Sequence, residues 1–165
     1  PLAFSPGLAI GPAFPSGSTD AQHTPRWLFS GDVSLSSRVN PWGGRIEFLY
    51  GQSTRAMADD TIAGSEQYTS LFGASVNVVN RIISRPRQSI QITAGIGVYE
   101  AVRHQYSKPT MEGGFRKETK AGYTFGAGWH YRLGGLDSSV DIRYLILNSS
   151  LVSNALQLTL GIGLP

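Results

Sequence analysis

Residues 120 to 133 read KAGYTFGAGWHYRL, and their apolar side chains fall on one parity: Ala121, Tyr123, Phe125, Ala127, Trp129, Tyr131 and Leu133. The other parity holds Lys120, Gly122, Thr124, Gly126, Gly128, His130 and Arg132. Strict period two marks an extended strand, because successive side chains leave opposite faces. The rhythm returns along the chain. RWLFSGDVSLSSRV sets Trp27, Phe29, Gly31, Val33 and Leu35 against Leu28, Ser30, Asp32, Ser34, Ser36 and Arg38. RIEFLY sets Ile46, Phe48 and Tyr50 against Arg45, Glu47 and Leu49, and QSIQITAGIGVYE sets Ile90, Ile92, Ala94, Ile96 and Val98 against Gln91, Thr93, Gly95, Gly97 and Tyr99. VDIRYLI and ALQLTLGIGL repeat the pattern, with Asp141, Arg143, Gln157 and Thr159 on the polar side. No stretch longer than a turn carries a helical period. The pattern predicts eight strands, near 4–14, 26–39, 44–53, 66–82, 88–103, 117–133, 138–148 and 154–164. Pro6 and Pro12 cannot donate to a ladder, which predicts a first strand that is short, bulged or irregular.

The connections alternate in length. NPWGG, SRPRQ and LGGLDSS are short and turn-like, whereas PSGSTDAQHTPR, GQSTRAMADDTIAGSE and HQYSKPTMEGGFRK are long and polar. The last connection, NSSLVSN, falls on the long-loop side. Short turns at one rim and longer loops at the other are the habit of transmembrane β-barrels.

Volume decides which parity faces inward. An eight-stranded barrel is only wide enough for ordinary side chains to fill its interior, so the bulky apolar parity of eight strands has no room there. The parity rich in Gly, Ser and Thr fits, and Tyr123, Phe125, Trp129 and Tyr131 are expected to face lipid. Several predicted strands match or exceed the roughly nine to eleven residues that cross a bilayer. Closure follows, since an open sheet edge in hydrocarbon leaves backbone groups unpaired at several kcal/mol each. The expected architecture is a single domain over 1–165, an all-β, eight-stranded antiparallel up-and-down transmembrane β-barrel.

Composition narrows the function. The 165 residues carry a formal charge of only +3, with basic residues scattered, so no phosphate-binding face for nucleic acid emerges. There is no cysteine, which excludes disulfides and thiolate metal sites. The chain opens at Pro1 without a secretory signal, as expected of a processed or trimmed chain. No apolar run reaches the roughly 20 residues of a transmembrane helix, a test that is blind to barrels because alternating faces cancel in any window.

On the strength of FSPGLAIGPAFPSG, QITAGIGVYEAV, YTFGAGWHYRLGG and DIRYLIL with its closing LTLGIGL, the chain resembles the small eight-stranded outer-membrane barrels, the OmpX-like and outer membrane protein β-barrel domains. The resemblance covers essentially the whole chain and is one of architecture and rhythm. It implies insertion in a Gram-negative outer membrane, termini in the periplasm and long loops outside.

The candidate interior network is Asp32, Arg38, Arg45, Glu47, Gln91, His130, Arg132, Asp141, Arg143 and Gln157. Buried charges must be paired, and eight strands leave little free bore, so these residues are expected to plug the barrel rather than to line an ion path. Trp27, Phe29, Trp42, Tyr50, Tyr123, Trp129 and Tyr131 fall near strand ends, where amphipathic rings favour the two bilayer interfaces. No catalytic, cofactor or metal residue is assigned. His23 and His104, near Ser16, Ser18, Asp20 and Glu100, are the only basis for a lipid-A-modifying enzyme, and no nucleophile motif supports them. Asp59 and Asp60 could meet a divalent cation or lipopolysaccharide-associated calcium, for which a two-residue acidic step is a weak signal. The expected role is structural or adhesive, through loops carrying Arg55, Asp59, Asp60, Lys108, Glu112, Arg116 and Lys117. Expected partners are membrane lipid, lipopolysaccharide and a protein at the loops. The alternatives are a narrow pore, the barrel enzyme, and a soluble ligand-binding barrel of lipocalin or avidin kind.

Overall fold

The computed structural model describes residues 2–16, 26–37, 39–56, 66–106, 113–149, 151–152 and 154–164. They form a closed barrel of eight antiparallel strands in chain order. The strands are β1 (Leu2–Ser16), β2 (Arg26–Ser37), β3 (Trp42–Ala56), β4 (Glu66–Arg85), β5 (Gln88–Tyr106), β6 (Gly113–Leu133), β7 (Leu136–Leu147) and β8 (Asn154–Gly163). No helix among the described residues is long and apolar enough to cross a membrane.

Register fixes the geometry. From Ser5, partners run through Ser34, Arg45, Asn77, Gly95, Thr124, Leu145 and Ala155 and return to β1 at Pro15, ten residues on. That stagger over eight strands tilts them by about 40° from the barrel axis. The wall is uneven, since β4, β5 and β6 have 20, 19 and 21 residues and β7 and β8 only 12 and 10. Their extra length rises on the loop side, where Glu66 is paired with Tyr106 and Tyr106 with Gly113.

Two of the turns are tight. Pro86 and Arg87 join β4 to β5, and Gly134 and Gly135 join β6 to β7, with Gly134 at φ 60, a conformation that glycine adopts without steric cost. Between β2 and β3, Asn40 Oδ1 accepts the Trp42 N–H at 3.0 Å.

Of the three forms expected of the first strand, the structure shows the irregular one, and on a single edge. The strand is neither short nor bulged, because β1 keeps unbroken register with β2 from Leu2 to Ala13. The effect of Pro12 appears on the other edge, where pairing with β8 stops after Ile10 and resumes at Ala13. The backbones crowd there, and a Cβ on Gly11 would lie 1.8 Å from the Leu158 carbonyl oxygen.

The apolar parity faces outward. Phe48, Ile96, Phe125 and Leu160 are 63%, 64%, 50% and 61% exposed, while Arg45, Glu47, Asp141 and Arg143 on the opposite parity are buried. The sense of the barrel is therefore that of a protein dissolved in hydrocarbon.

Candidate functional site

The inward parity divides into two layers. Toward the loop side, Leu28, Leu49, Leu71, Tyr99, Leu145 and Leu147 meet Ala13, Ala101 and Ala155 in one buried apolar cluster. Leu151 and Val152, from the connection between β7 and β8, complete it. Ser149 Oγ accepts the N–H groups of Leu151 and Val152 at 3.1 and 3.3 Å, and Arg103 donates to the Leu151 carbonyl at 2.8 Å. Leu151 and Val152 are thus turned into the mouth of the barrel and held there.

Tyr99 lies flat within this layer because three glycines make room for its ring. A Cβ on Gly73 would sit 2.2 Å from Tyr99 Cδ1, and Cβ atoms on Gly97 and Gly122 would each come within 2.9 Å of the ring. Gly73→Val is expected to lower the unfolding free energy by about 1–3 kcal/mol through overpacking. Urea unfolding in lipid vesicles measures it, and combining Gly73→Val with Tyr99→Ala should recover part of the loss.

Beneath the apolar layer lies a charged one. Arg143 on β7 donates to Glu47 on β3, strands that face each other across the lumen, so this ion pair spans the bore. Arg143 also lies 3.8 Å from Asp141, and Asp141 lies 3.7 Å from His130 Nε2. Arg45 donates to Ser34 Oγ at 3.2 Å and approaches Asp32 at 3.8 Å, while Ser34 donates to Asp32 at 3.1 Å. Thr124 Oγ donates to Asn77 Oδ1 at 2.7 Å, and Asn77 donates to Ser75 at 3.0 Å. Below, a cavity of about 690 Å³ reaches the turn rim between Arg81, Ser84, Gln91, Asp137 and Ser139.

Of the candidate network, the structure brings together Asp32, Arg45, Glu47, His130, Asp141 and Arg143. Gln157 is buried beside Arg143 in the ladder, and Gln91 is half-buried with a 3.4 Å contact to Ser89. Arg132 stands apart, exposed at the turn rim and bonded to Asp137 at 2.9 Å. Arg38 lies outside the described residues. The sequence groups Arg45 with Glu47 on one strand, but the fold gives Glu47 to Arg143 across the lumen.

Trp27, Phe29, Trp42, Tyr50, Tyr123 and Trp129 are all exposed on the outer face. Tyr131 is half-buried, its ring centroid 6.0 Å from that of Trp129. His104 is stacked on Tyr68 at 4.7 Å and adjoins Phe115 at 6.4 Å, while Glu100 pairs with Lys117 at 2.8 Å, so neither is set as an acid–base pair. His23, Ser18, Asp20, Asp59, Asp60, Lys108 and Glu112 lie outside the described residues, as does the side chain of Arg55. Among the described residues no group of three His, Cys, Asp or Glu side chains is placed to hold a metal.

The apolar layer is what the sequence reading missed. The sequence carries its signal: Leu28, Leu49, Tyr99 and Leu145 interrupt the polar parity, Leu49 at the middle of its strand and the other three in the loop-side halves of theirs. The lumen is therefore not uniformly polar.

No protein-family model matches the chain, and no curated protein sequence matches it. Solved structures do. The chain is similar to Ail, the attachment invasion locus protein of Yersinia pestis, in a complex with the heparin analogue sucrose octasulfate, at a TM-score of 0.63 and 15% identity, over 99% of this chain and 96% of that one. It is similar to Neisserial surface protein A at 0.60 and 15%, over 99% and 98%. A major outer membrane protein of Thermus thermophilus gives 0.70 and 11%, over 98% and 99%. The fold is that of the small outer-membrane β-barrels.

Proposed function

We propose that this chain, having the fold of small outer-membrane barrels, is an integral protein of a bacterial outer membrane with a sealed lumen and no enzymatic activity. Its work is done at the loop-side rim. The observation that carries the reading is the apolar layer beneath that rim, where Leu28, Leu71 and Leu145 are almost fully buried and Leu151 and Val152 close the mouth. An ion finds no polar path through such a layer, and the Glu47–Arg143 bridge crosses the bore a second time.

In this reading the short turns and both termini face the periplasm, and the long connections face outward. The raised wall of β4 to β6 then stands clear of the bilayer and carries Arg116, Lys117 and Lys120 with Glu100 and Glu118. Lys117 and Lys120 are matched by Glu100 and Glu118 at 2.8 and 3.1 Å, a balance that suits contact with lipopolysaccharide and a protein surface. That Ail is seen with a sulfated sugar analogue is consistent with such a rim meeting acidic glycans.

Planar-bilayer recording tests the seal. The folded protein should give no discrete conductance, and Leu28→Ser with Leu145→Ser should introduce leak events. Regular current steps from the unmodified protein, lost on changing Arg45 or Asp141, would instead establish a pore.

A further inference from the structure

Among its described residues the turn rim carries an excess of positive charge that the fold leaves unmatched. Its described ionisable residues are Arg81, Arg85, Arg87, Arg132 and Asp137. Arg132 is bonded to Asp137, and the Arg81 guanidinium donates to the carbonyls of Ser37 and Asn40, the latter at 2.8 Å. Arg85 and Arg87 are exposed and have no ion pair or hydrogen bond from their side chains among the described residues.

The strand beneath them is irregular in a way that serves the same surface. Between Arg81 and Ile83 the register of β4 against β5 slips. A bulge of this kind adds one residue to one strand and re-aims its side chains. Here it leaves Ile82 and Ile83 both outward, 59% and 42% exposed. Ile83 is paired with Ile90, Ile90 with Trp129, and Gln88 with Tyr131. From the barrel wall to the hairpin tip the outer face therefore passes from isoleucine through Trp129 and Tyr131 to arginine. That is the order of a lipid leaflet, from hydrocarbon through the interfacial region to phosphate. The tip is also fastened, since the Arg132 N–H donates to the Arg87 carbonyl at 2.8 Å and the Arg81 N–H to the Pro41 carbonyl at 2.9 Å.

We propose that the β4–β5 hairpin is a binding site for anionic phospholipid in the leaflet at the turn rim. Arg85 and Arg87 take the headgroup phosphate, and the acyl chains lie on Ile82, Ile83 and Ile90. Guanidinium suits this task because its planar fork presents paired donors to phosphate oxygens and is weakly hydrated. The proposal depends on the barrel spanning a bilayer and not on the sealed lumen, so either can fail alone.

Tryptophan quenching by brominated lipid tests it. Trp27→Phe leaves Trp42 and Trp129, both on the outer face near the turn rim. The folded protein is placed in mixed phosphatidylcholine and phosphatidylglycerol bilayers of one composition, with bromine carried on either lipid. Phosphatidylglycerol should be favoured by about fivefold or more at this rim, the value expected of even one arginine at an anionic surface. Arg85→Gln with Arg87→Gln should lower the ratio several-fold, leaving only the weaker pull of Arg81, with heat-modifiable gel mobility unchanged as the check on folding. Excess soluble glycerol phosphate should leave the ratio intact. Equal quenching by the two lipids, a preference undiminished in the double variant, or one that soluble glycerol phosphate abolishes would each overturn the proposal.

Discussion

Glu47→Ala is expected to destabilise the folded barrel by about 3–5 kcal/mol, the cost of leaving a buried charge without its partner. The reason lies in where Arg143 sits. Its side chain is 8% exposed, Glu47 is its direct partner, and Asp141 at 3.8 Å is a weaker second. Remove Glu47 and the guanidinium stays inside the wall, because β7 has no freedom to move it outward. Replacing both residues by apolar side chains of similar volume, Glu47→Leu with Arg143→Met, should cost less than either single change, since neither member of the bridge is left facing an empty place and Asp141 keeps His130 at 3.7 Å. Reversible urea unfolding in lipid vesicles gives all the corners of the cycle. A coupling near zero between the two positions would mean that the bridge contributes nothing to stability.

The second large effect concerns the outer face. Ile96, in the middle of β5 and 64% exposed, should not tolerate arginine: Ile96→Arg is expected to cost about 2–4 kcal/mol, against about 0–1 kcal/mol for Leu133→Arg at the turn rim. The contrast follows from depth, because an arginine near the rim reaches headgroups and one at mid-strand does not. Were water the surrounding solvent, both substitutions would be close to neutral. The same unfolding experiment reads them side by side.

Much of this architecture is legible in the residues, for a physical reason. A strand with one face in lipid and one in a narrow lumen must alternate, and it must alternate by volume as well as by polarity. Tyr123, Phe125 and Trp129 against Gly122, Thr124 and Gly126 state both conditions at once. The strand order needed no further information, since short and long connections alternate along the chain. Partnership across the lumen was not legible. Arg143 and Glu47 are separated by 96 positions, and only the stagger of ten residues around the barrel decides which inward side chains share a level. The Tyr99 slot was hidden for the same reason, because Gly73, Gly97 and Gly122 lie on three different strands.

Three other features escaped because local rules conflict with the global one. Pro12 argues against a regular strand, yet β1 runs to Ser16, since pairing is lost only on the edge toward β8 and the ladder with β2 holds to Ala13. Consecutive Ile82 and Ile83 break strict alternation, and a bulge lets both face outward. Leu151 and Val152 sit in a short polar connection, where two apolar residues read as incidental until the barrel mouth they fill is in view.

The most direct test of the central claim, a closed barrel with its apolar face in lipid, is gel mobility of the chain purified from membranes, with and without heating. Detergent should be required for extraction, and the unheated form should migrate differently from the heated one because the closed barrel survives the gel. A chain that is monodisperse without detergent and migrates identically in both states would contradict it.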